Sequence, residues 1–511
     1  MKITISQINP KTLDFKYNFT LIQQRLKESD VDSLVVFPEL ALSGSPLYDA
    51  TKYKQTYEES LSFAETLSQE KKDFIFGLPI HQNGEFFNSL AFVENGELKA
   101  LSTKKNLNQF DKGFTSGEGF TLVEYKKQTI AFGFLEDLDD YLKKEDKANV
   151  IICCSNILFT LETQKKLLTE LQPKIRKAKT PIILVNRCGA EGSYIFNGSS
   201  FFMLANGDLS KQSPLFEENS LQIDTEKTEK YNQSPLPRIE KMYHAAVLGI
   251  RDYFHKNNIK KALLGLSGGI DSALVVVLAV EALGKENVIG ILLPSEYSTS
   301  HSITDAKASA ERLGIEHHII PIKENFTAAL TALQPIFEGK EPNVAEENLQ
   351  SRIRGLIIMG IANKIGAAVL NTTNKSELSV GYGTLYGDTN GAIGTIGDIY
   401  KTDVWEMSRW INRNEEIIPW NSITKAPSAE LRPDQKDTDS LPDYDVLDKV
   451  LFLHLEQSKS RQEIIDEGID PQIVDKILRL VKINEWKRHQ VAPALRMSNS
   501  ALGIDRIMPI S

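Results

Sequence analysis

The residues of this chain that are best suited to chemistry form a glycine-rich turn, Ser267-Gly268-Gly269-Ile270-Asp271-Ser272. An apolar run typical of a strand (261–266) precedes the turn, and a helical pattern from Asp271 through Leu283 follows it. Glycines let the backbone approach a phosphate closely, and the amide N–H groups at the start of a helix point toward the anion. Because the Gly-Lys-Ser/Thr ending of a Walker A loop is absent, the sequence predicts another kind of phosphate-binding loop. Asp271 offers the carboxylate oxygen that a hard cation such as Mg²⁺ prefers.

A second group of polar residues, in the first half of the chain, resembles the active site of the carbon–nitrogen hydrolase (nitrilase) family. The segment 36–44, Val-Phe-Pro-Glu-Leu-Ala-Leu-Ser-Gly, is similar to the glutamate motif of that family, and Lys104 begins a segment similar to its lysine motif. The resemblance implies that Glu39 is the general base and that Lys104 stabilises the oxyanion. The loop that follows the lysine is cut to two residues (108–109), which leaves Lys105 as an alternative assignment.

The nucleophile of this family is missing from the chain. In the family a cysteine immediately precedes a Glu-Asp pair, whereas here Leu135 precedes Glu136-Asp137. A thioester-forming amidase needs a thiolate, which an isobutyl side chain cannot supply. Replacement by another thiol (Cys153, Cys154 or Cys188) stays open, although a buried cysteine is more often a small apolar residue. The sequence therefore predicts a degenerate, inactive glutaminase site made of Glu39, Lys104 and Leu135.

The second half carries further segments that narrow its function. The Ser-Gly-Gly-X-Asp-Ser form resembles the PP-loop of the adenine nucleotide alpha-hydrolase-like ATP pyrophosphatases, which cleave ATP to AMP and pyrophosphate. Several downstream segments resemble NAD⁺ synthetase, namely 348–355, 371–377, 381–388, 401–402, 427–431, 435–437 and 484–488. Together with the nitrilase-like first half, the whole chain resembles the glutamine-dependent NAD⁺ synthetases.

This resemblance implies a role for each matching residue. It implies that ATP is bound by Thr372 and by the loop residues Gly265, Leu266, Ser267, Gly268, Gly269, Ile270, Asp271 and Ser272. It implies contacts with deamido-NAD⁺ from Asn348, Glu377, Asp388 and Lys487. The implied Mg²⁺ ligands are Asp271 and Glu377. The implied catalytic residues are Asp271 and Lys401, and Lys401 is of the right type to neutralise charge on the α-phosphate and the pyrophosphate leaving group.

The elements that must position these residues indicate two α/β domains. In the first half, short β-rich apolar runs alternate with helical patterns, which indicates a nitrilase-like α-β-β-α sandwich. In the second half, strand-like runs at 261–266, 288–294 and 317–322 alternate with helices, which indicates a doubly wound parallel sheet. A charged stretch and the connector Ser-Pro-Leu-Pro lie between the halves. We therefore expect a nitrilase-like domain at 1–228, a linker at 229–240 and an NAD⁺ synthetase domain at 241–511.

The composition speaks against a nucleic-acid-binding protein and against a membrane protein. The chain has 511 residues, of which 41% are hydrophobic and 25% charged, and a formal net charge of −9. Because nucleic acids are bound through clustered Lys and Arg, this charge speaks against them as obligate partners. One of the longest apolar stretches, 273–280, is far shorter than the ~20 residues of a membrane span. Since the three cysteines form no disulfide framework, we expect a cytoplasmic protein without membrane association.

The predicted activity is the ATP-dependent amidation of deamido-NAD⁺ to NAD⁺ by a carbon–nitrogen ligase. The nicotinate carboxylate attacks the α-phosphorus of ATP to give an acyl-adenylate and pyrophosphate, and ammonia then displaces AMP. Because the nucleophile is missing at position 135, we expect free ammonia as the nitrogen donor, with Mg²⁺ as the cofactor. The resemblance also implies a homodimer or a higher homo-oligomer. Two alternatives stay open: a glutamine-dependent synthetase that uses a non-standard thiol, and a non-catalytic nucleotide-binding sensor.

Overall fold

The chain forms two compact units, Met1–Pro235 and Leu236–Ser511. The computed structural model describes residues 1–144, 148–227, 231 and 234–510. The division lies inside the linker predicted at 229–240. Four linker positions (229, 230, 232 and 233) and the ends of both predicted domains (228 and 511) lie outside the described residues. The first helix of the second unit begins at Arg238, within the predicted linker, and the domain bounds stay a prediction.

The strands of the first unit lie in two six-stranded sheets and a hairpin. Along the chain they are β1 (Lys2–Gln7), β2 (Leu34–Val36), β3 (Phe74–Gln82), β4 (Glu85–Glu94), β5 (Glu97–Thr103), β6 (Thr121–Tyr125), β7 (Gln128–Phe134), β8 (Val150–Ser155), β9 (Ile182–Asn186), β10 (Cys188–Glu191), β11 (Tyr194–Asn197), β12 (Phe201–Met203), β13 (Leu209–Gln212) and β14 (Asn219–Asp224). One sheet has the order β14-β1-β2-β3-β4-β5, the other has the order β13-β12-β9-β8-β7-β6, and β10 pairs with β11. The centre of each sheet is parallel, β1-β2-β3 in one and β7-β8-β9 in the other.

Helices cover the outer face of each sheet of the first unit. They are α1 (Phe15–Glu28), α2 (Lys54–Leu67), α3 (Leu138–Tyr141) and α4 (Thr163–Ala178). In β2, Leu34 and Val36 face the other sheet while Val35 packs against α1 and α2, as the two-residue period of a strand requires. Apolar side chains of α3 and α4 pack against the second sheet in the same way. These layers confirm the predicted α-β-β-α sandwich.

The second unit is built on one parallel sheet with the order β17-β16-β15-β18-β19. Its strands are β15 (Lys261–Gly265), β16 (Val288–Leu292), β17 (Glu316–Ile319), β18 (Ala367–Asn371) and β19 (Ile393–Gly394). Its helices are α5 (Arg238–Lys256), α6 (Ile270–Leu283), α7 (Ser300–Leu313), α8 (Lys323–Phe337), α9 (Val344–Ile365), α10 (Lys375–Val380), α11 (Lys401–Ile411), α12 (Trp420–Thr424), α13 (Tyr444–Leu451), α14 (Arg461–Ile465), α15 (Pro471–Ile483) and α16 (Glu485–Arg488).

The strand order of this sheet determines where a ligand can bind. The order reverses at β15, which lies between β16 and β18, and open parallel sheets bind ligands outside the carboxyl ends of the strands at such a point. The glycine-rich turn follows β15, and the segment 372–374 follows β18. The predicted doubly wound sheet is therefore confirmed, and its switch point lies beside the predicted phosphate-binding loop. No helix in the described part of the chain is both long and apolar enough to cross a membrane, and the cytoplasmic location stays a prediction.

Candidate active site

The glycine-rich turn is held in shape by its own serines. Ser267 Oγ accepts a hydrogen bond from the N–H of Gly269 at 3.1 Å, and Ser272 Oγ donates to the Gly269 carbonyl at 3.1 Å. Gly268 has a φ of +78°, and a Cβ at this position would lie 2.2 Å from the carbonyl oxygen of Ser302. Glycine is therefore required here both by conformation and by space. Leu266 and Ile270 are buried at 4% exposure, so these two predicted ATP-binding positions can offer a ligand only their backbone.

The structure brings together the two predicted metal ligands and the predicted catalytic lysine. Asp271 lies in the first turn of α6, Glu377 in α10, and Lys401 is the first residue of α11. The Lys401 ammonium is ion-paired with Asp271 Oδ2, and its Nζ lies 3.6 Å from Glu377 Oε1. Asn374 Nδ2 donates a hydrogen bond to Asp271 Oδ1 at 2.9 Å.

Burial and mutual charge alter the proton affinities of this group. Burial and the neighbouring charge of Asp271 raise the pKa of Glu377 to about 8. Burial by itself would lower the pKa of Lys401, but Asp271 and Glu377 outweigh it and raise that pKa above its ordinary value. Lys401 therefore stays a cation at neutral pH. Glu377 therefore holds a proton more tightly than usual, and a cation bound at its carboxylate would favour release of that proton.

Two carboxylates fit a magnesium ion that is shared with a nucleotide. The described residues contain no group of three or more His, Cys, Asp or Glu side chains that could hold a metal by themselves. Mg²⁺ is commonly bound through one or two carboxylates together with substrate phosphates, and it keeps several waters. Asp271 and Glu377 supply two such carboxylates beside the phosphate-binding turn. The donor set therefore suits a nucleotide-bound Mg²⁺ better than a resident metal.

Two neighbours of this group, Asn374 and Asp437, are not among the predicted site residues. Asn374 and Glu377 form a capping box at the start of α10, in which each side chain bonds the backbone N–H of the other residue. The Asn-x-x-Glu spacing was a signal that could have revealed it. Asp437 accepts hydrogen bonds from the hydroxyls of Tyr382 and Tyr444, both at 2.9 Å. Burial raises the pKa of Asp437, and the charge of Lys401 opposes that rise.

Three of the predicted deamido-NAD⁺ contacts meet at a different place, the loop that follows α10. Thr384 Oγ1 donates to Asn348 Oδ1 at 2.7 Å, and the N–H of Thr384 donates to Asp388 Oδ1 at 2.6 Å. Lys487 Nζ donates to backbone carbonyls of the same loop, at residues 381 and 383. Glu377, the fourth predicted contact, lies with Lys401 instead. Thr372 is half-buried directly after β18.

In the first unit, the predicted base and lysine also come together. Lys104 Nζ lies 2.8 Å from Glu39 Oε1, 3.0 Å from Asp111 Oδ2 and 2.9 Å from Glu136 Oε1. The Lys104 side chain has 0% exposure. Lys105, the alternative assignment, is exposed and pairs with Asp140 at 2.9 Å. The structure therefore places Lys104, not Lys105, beside Glu39.

Burial and the neighbouring charges alter the pKa values of Glu39 and Lys104. Burial raises the pKa of Glu39 to about 8 although Lys104 opposes the shift. Burial works against the charge of Lys104 as well, but its three carboxylate neighbours raise the pKa of Lys104 above the ordinary value. Asn88 Nδ2 donates to both Glu39 Oε1 and Asp111 Oδ1, at 2.7 and 2.9 Å. Lys104 is thus surrounded by carboxylates of the chain itself.

Leu135 occupies the expected nucleophile position next to this cluster. It begins a 3₁₀ turn (135–137) at the end of β7 and packs with apolar residues under α3 and α4. Its two neighbours both contact Lys104, since the ring of Phe134 lies 5.6 Å from Lys104 Nζ and Glu136 is ion-paired with it. The cysteines are all buried, at positions 153, 154 and 188. Burial raises the pKa of the thiols at 153 and 154, which disfavours a thiolate at either position.

Comparison with known proteins identifies the family. The family model described as NAD synthase matches residues 242–491. A glutamine-dependent NAD⁺ synthetase from Synechocystis is 39% identical over 550 residues, which cover 100% of this chain and 98% of that protein. The chain belongs to the glutamine-dependent NAD⁺ synthetases. A synthetase of this family from Thermotoga maritima is 35% identical, again over 100% of this chain and 98% of the relative.

Solved structures of NAD⁺ synthetases agree with this assignment. The glutamine-dependent NAD⁺ synthetase of Acinetobacter baumannii, solved in complex with ADP, is 30% identical and superposes with a TM-score of 0.79 over 100% of this chain and 98% of that chain. The synthetase of Cytophaga hutchinsonii is 21% identical, covers 100% of this chain and 97% of its own, and with a TM-score of 0.87 shows the same fold. The predicted family, fold class and carbon–nitrogen ligase activity are therefore confirmed for this NAD⁺ synthetase, whereas the roles of individual residues stay predictions.

Proposed function

We propose that this NAD⁺ synthetase amidates deamido-NAD⁺ with free ammonia, at the expense of ATP, and that its first unit hydrolyses no glutamine. The observation that carries the proposal is the alkyl side chain of Leu135 at the head of the 3₁₀ turn, between two residues that contact Lys104. Amide hydrolysis at a Glu-Lys-Cys site proceeds through a thioester, and leucine offers no atom that could form one.

The surroundings of Lys104 support the same conclusion. A lysine that stabilises an oxyanion has to present its ammonium to the substrate, whereas Lys104 is buried against the carboxylates of Glu39, Asp111 and Glu136. Cys153 and Cys154 lie on opposite faces of β8, in two apolar cores, so neither thiol has the exposed, electropositive surroundings of a nucleophile. These features speak against glutamine hydrolysis through a non-standard thiol.

In the second unit, the chain's own residues suit adenylation by electrostatic stabilisation. The N–H groups of the turn, at the start of α6, are of the kind that binds phosphates, and Lys401 is a cation beside Asp271. Lys401 would neutralise the charge that develops as the nicotinate carboxylate displaces pyrophosphate from the α-phosphorus. Mg²⁺ bound by Asp271 and Glu377 would supply further neutralisation of the nucleotide phosphates. Ammonia then attacks the acyl carbon and AMP leaves, so no protein nucleophile is required. The ADP complex of the Acinetobacter baumannii relative supports ATP as a substrate.

We also propose that the synthetase forms a homodimer through α8 and α9. Helix α9 is 22 residues long and carries Leu356 at 70% and Met359 at 38% exposure, and Ile336 in α8 is 66% exposed. Exposed apolar patches of this kind mark interaction surfaces, and a two-fold interface uses the same patch on both copies. The variant Leu356→Glu/Met359→Glu should sediment as a monomer, whereas the parent should sediment as a dimer at the same concentration. A dimer in both would exclude this surface.

Nitrogen-source specificity tests the proposed function. NAD⁺ formation from deamido-NAD⁺, ATP and Mg²⁺ is measured with either ammonium or glutamine as the sole nitrogen source, and glutamate release is measured in parallel. We expect NAD⁺ with ammonium and neither NAD⁺ nor glutamate with glutamine, because a missing nucleophile removes on the order of 10⁶ of rate. Glutamine-dependent turnover that is lost on alkylation of a cysteine would refute the proposal and favour the non-standard thiol.

A further inference from the structure

The first turn of α11, which carries Lys401, is capped by residues from two other elements. The N–H of Lys401 donates to Ser376 Oγ at 2.9 Å, and the N–H of Thr402 donates to Asp448 Oδ2 at 2.9 Å. The hydroxyl of Ser376 in turn donates to Asp448 Oδ1. The residue that precedes the helix, Tyr400, makes no side-chain capping bond among the described residues. The first two N–H groups of this helix are therefore satisfied by one bridge between α10 and α13.

This bridge joins α10 and α11, which carry Glu377 and Lys401. Ser376 lies in α10 directly before Glu377 and two residues after Asn374, which bonds Asp271. Asp448 lies in α13, and its carboxylate accepts hydrogen bonds from Ser376 of α10 and from the N–H of Thr402 in the first turn of α11. Both bridge residues are almost fully buried, with 0% exposure for Ser376 and 5% for Asp448. They lie beside Glu377 and the backbone of Lys401. Among the described residues, neither forms a hydrogen bond with Asp271 or with the Lys401 ammonium.

A local cap would have been sufficient to stabilise the helix alone. A serine, threonine or aspartate at position 400 would satisfy one of the same N–H groups without a buried carboxylate. Burying Asp448 is unfavourable, since burial raises its pKa to about 6, and at neutral pH the group is a charge held in the interior. What the buried bridge adds is a connection between α10 and α11. That connection links the start of the helix that carries Lys401 to the helix that carries Glu377.

We propose that Asp448, acting through Ser376, is a positioning residue for Lys401 in the ligation reaction. The bridge fixes the first turn of α11 against α10 so that the Lys401 ammonium lies where charge develops on the nucleotide. The inference rests on the proposed role of Lys401. Because displacements of about 1 Å in a positioned group can lower rates by about 10²-fold, loss of the bridge should act on turnover and not on substrate binding.

The test compares steady-state NAD⁺ synthesis with ammonium in the full-length enzyme and its variants. Asp448→Ala should lower kcat by about 10²-fold, with the KM values for ATP and deamido-NAD⁺ within about twofold of the parent. Asp448→Asn keeps one acceptor and should recover part of that loss. Ser376→Ala should lower kcat in the same way, and the Ser376→Ala/Asp448→Ala double variant should be no worse than Asp448→Ala, since both residues form one bridge.

A matched control separates positioning from stability. Asn412, which follows the other end of α11, accepts hydrogen bonds from the N–H groups of Ile417 and Ile418 and is similarly buried, so Asn412→Ala should lower Tm to a comparable degree without changing kcat. In the Lys401→Ala background, with residual NAD⁺ measured in long incubations, adding Asp448→Ala should change the rate by less than about twofold.

Three outcomes would overturn the proposal: a parental kcat in folded Asp448→Ala, an equal kcat loss in Asn412→Ala, or a further large loss in the Lys401→Ala background. Full activity in Lys401→Ala itself would instead refute the proposed role of Lys401.

Discussion

Replacing Lys104 with alanine should destabilise the first unit strongly and leave ammonia-dependent NAD⁺ synthesis intact in the folded protein. The Lys104 ammonium lies within 3.0 Å of carboxylate oxygens of Glu39, Asp111 and Glu136, and its side chain has 0% exposure. Removing one partner from a buried ion pair costs about 3–5 kcal/mol, because the charge left behind is unpaired and desolvated. In a domain of this size each kcal/mol lowers Tm by about 2–4 °C, so a decrease of roughly 6–20 °C is expected.

Differential scanning calorimetry can measure this change against a neighbouring control. Lys105 is exposed and pairs with Asp140 at the surface, so Lys105→Ala should leave the transition of the first unit nearly unchanged. The two variants remove the same side chain from adjacent positions, and they differ only in burial and in the number of carboxylates contacted. Ammonia-dependent activity at 25 °C serves as the check that the second unit is intact.

Acidification tests whether unpaired carboxylates cause the loss. As pH falls through about 8, Glu39 binds a proton, so less charge is left unpaired in the variant and the difference in Tm between Lys104→Ala and the parent should shrink. The reasoning would be refuted by a Lys104→Ala transition within about 2 °C of the parent, or by a difference in Tm that does not change with pH. Either result would mean that the cluster contributes little to the stability of the first unit.

Three further predictions follow from the two sites. Because burial raises the pKa of Glu39 to about 8, the folded first unit binds a proton that the unfolded chain releases above about pH 4.3. The free energy of unfolding of the first unit should therefore fall as pH rises from about 5 to 8. Glu39→Gln should reduce this pH dependence in denaturant titrations. Asp271→Ala should lower pyrophosphate release by about 10³-fold in protein that is still folded, and near-normal release would show that the metal is held elsewhere. Gly268→Ala should lower ATP-dependent turnover at least about tenfold, because the new Cβ would lie 2.2 Å from the Ser302 carbonyl oxygen. Gly269→Ala should lower turnover less in the same assay, because its Cβ would meet only Ser267 Oγ, at 3.2 Å.

Local patterns in the sequence were sufficient for the first elements of the second unit, up to the strand after α7. The turn at 267–272 was predicted between a strand and a helix, and it lies between β15 and α6. Strands buried on both faces have continuous apolar runs, and the helix after the turn is apolar on nearly all sides, so neither needed tertiary information. The end of the linker was less predictable, because α5 begins at Arg238 directly after Pro237, and a proline is compatible with both a connector and a helix start.

Contacts between distant segments could not be predicted in the same way. The choice between Lys104 and Lys105 depends on Glu39, Asp111 and Glu136, which approach only when β2, β5 and β7 assemble. The bridge from Ser376 to Asp448 spans 72 positions, and a carboxylate in an amphipathic helix is usually an exposed residue. In each case the residue types were visible in the sequence, but their burial and partners were consequences of the tertiary fold.

The physics of the first unit explains how a glutaminase motif can persist without its nucleophile. Leu135 is only partly buried and packs among apolar residues, so an apolar side chain at that position creates no unpaired charge. Lys104 and Glu39 are different, since loss of Lys104 would leave buried carboxylates without their cation, and loss of Glu39 would remove one of the three carboxylates around that cation. Under the proposed loss of glutamine hydrolysis, stability alone would be sufficient to retain the Glu and Lys motifs. Their presence in a chain is consequently weak evidence for amide hydrolysis, and the residue that precedes the Glu-Asp pair is the informative one.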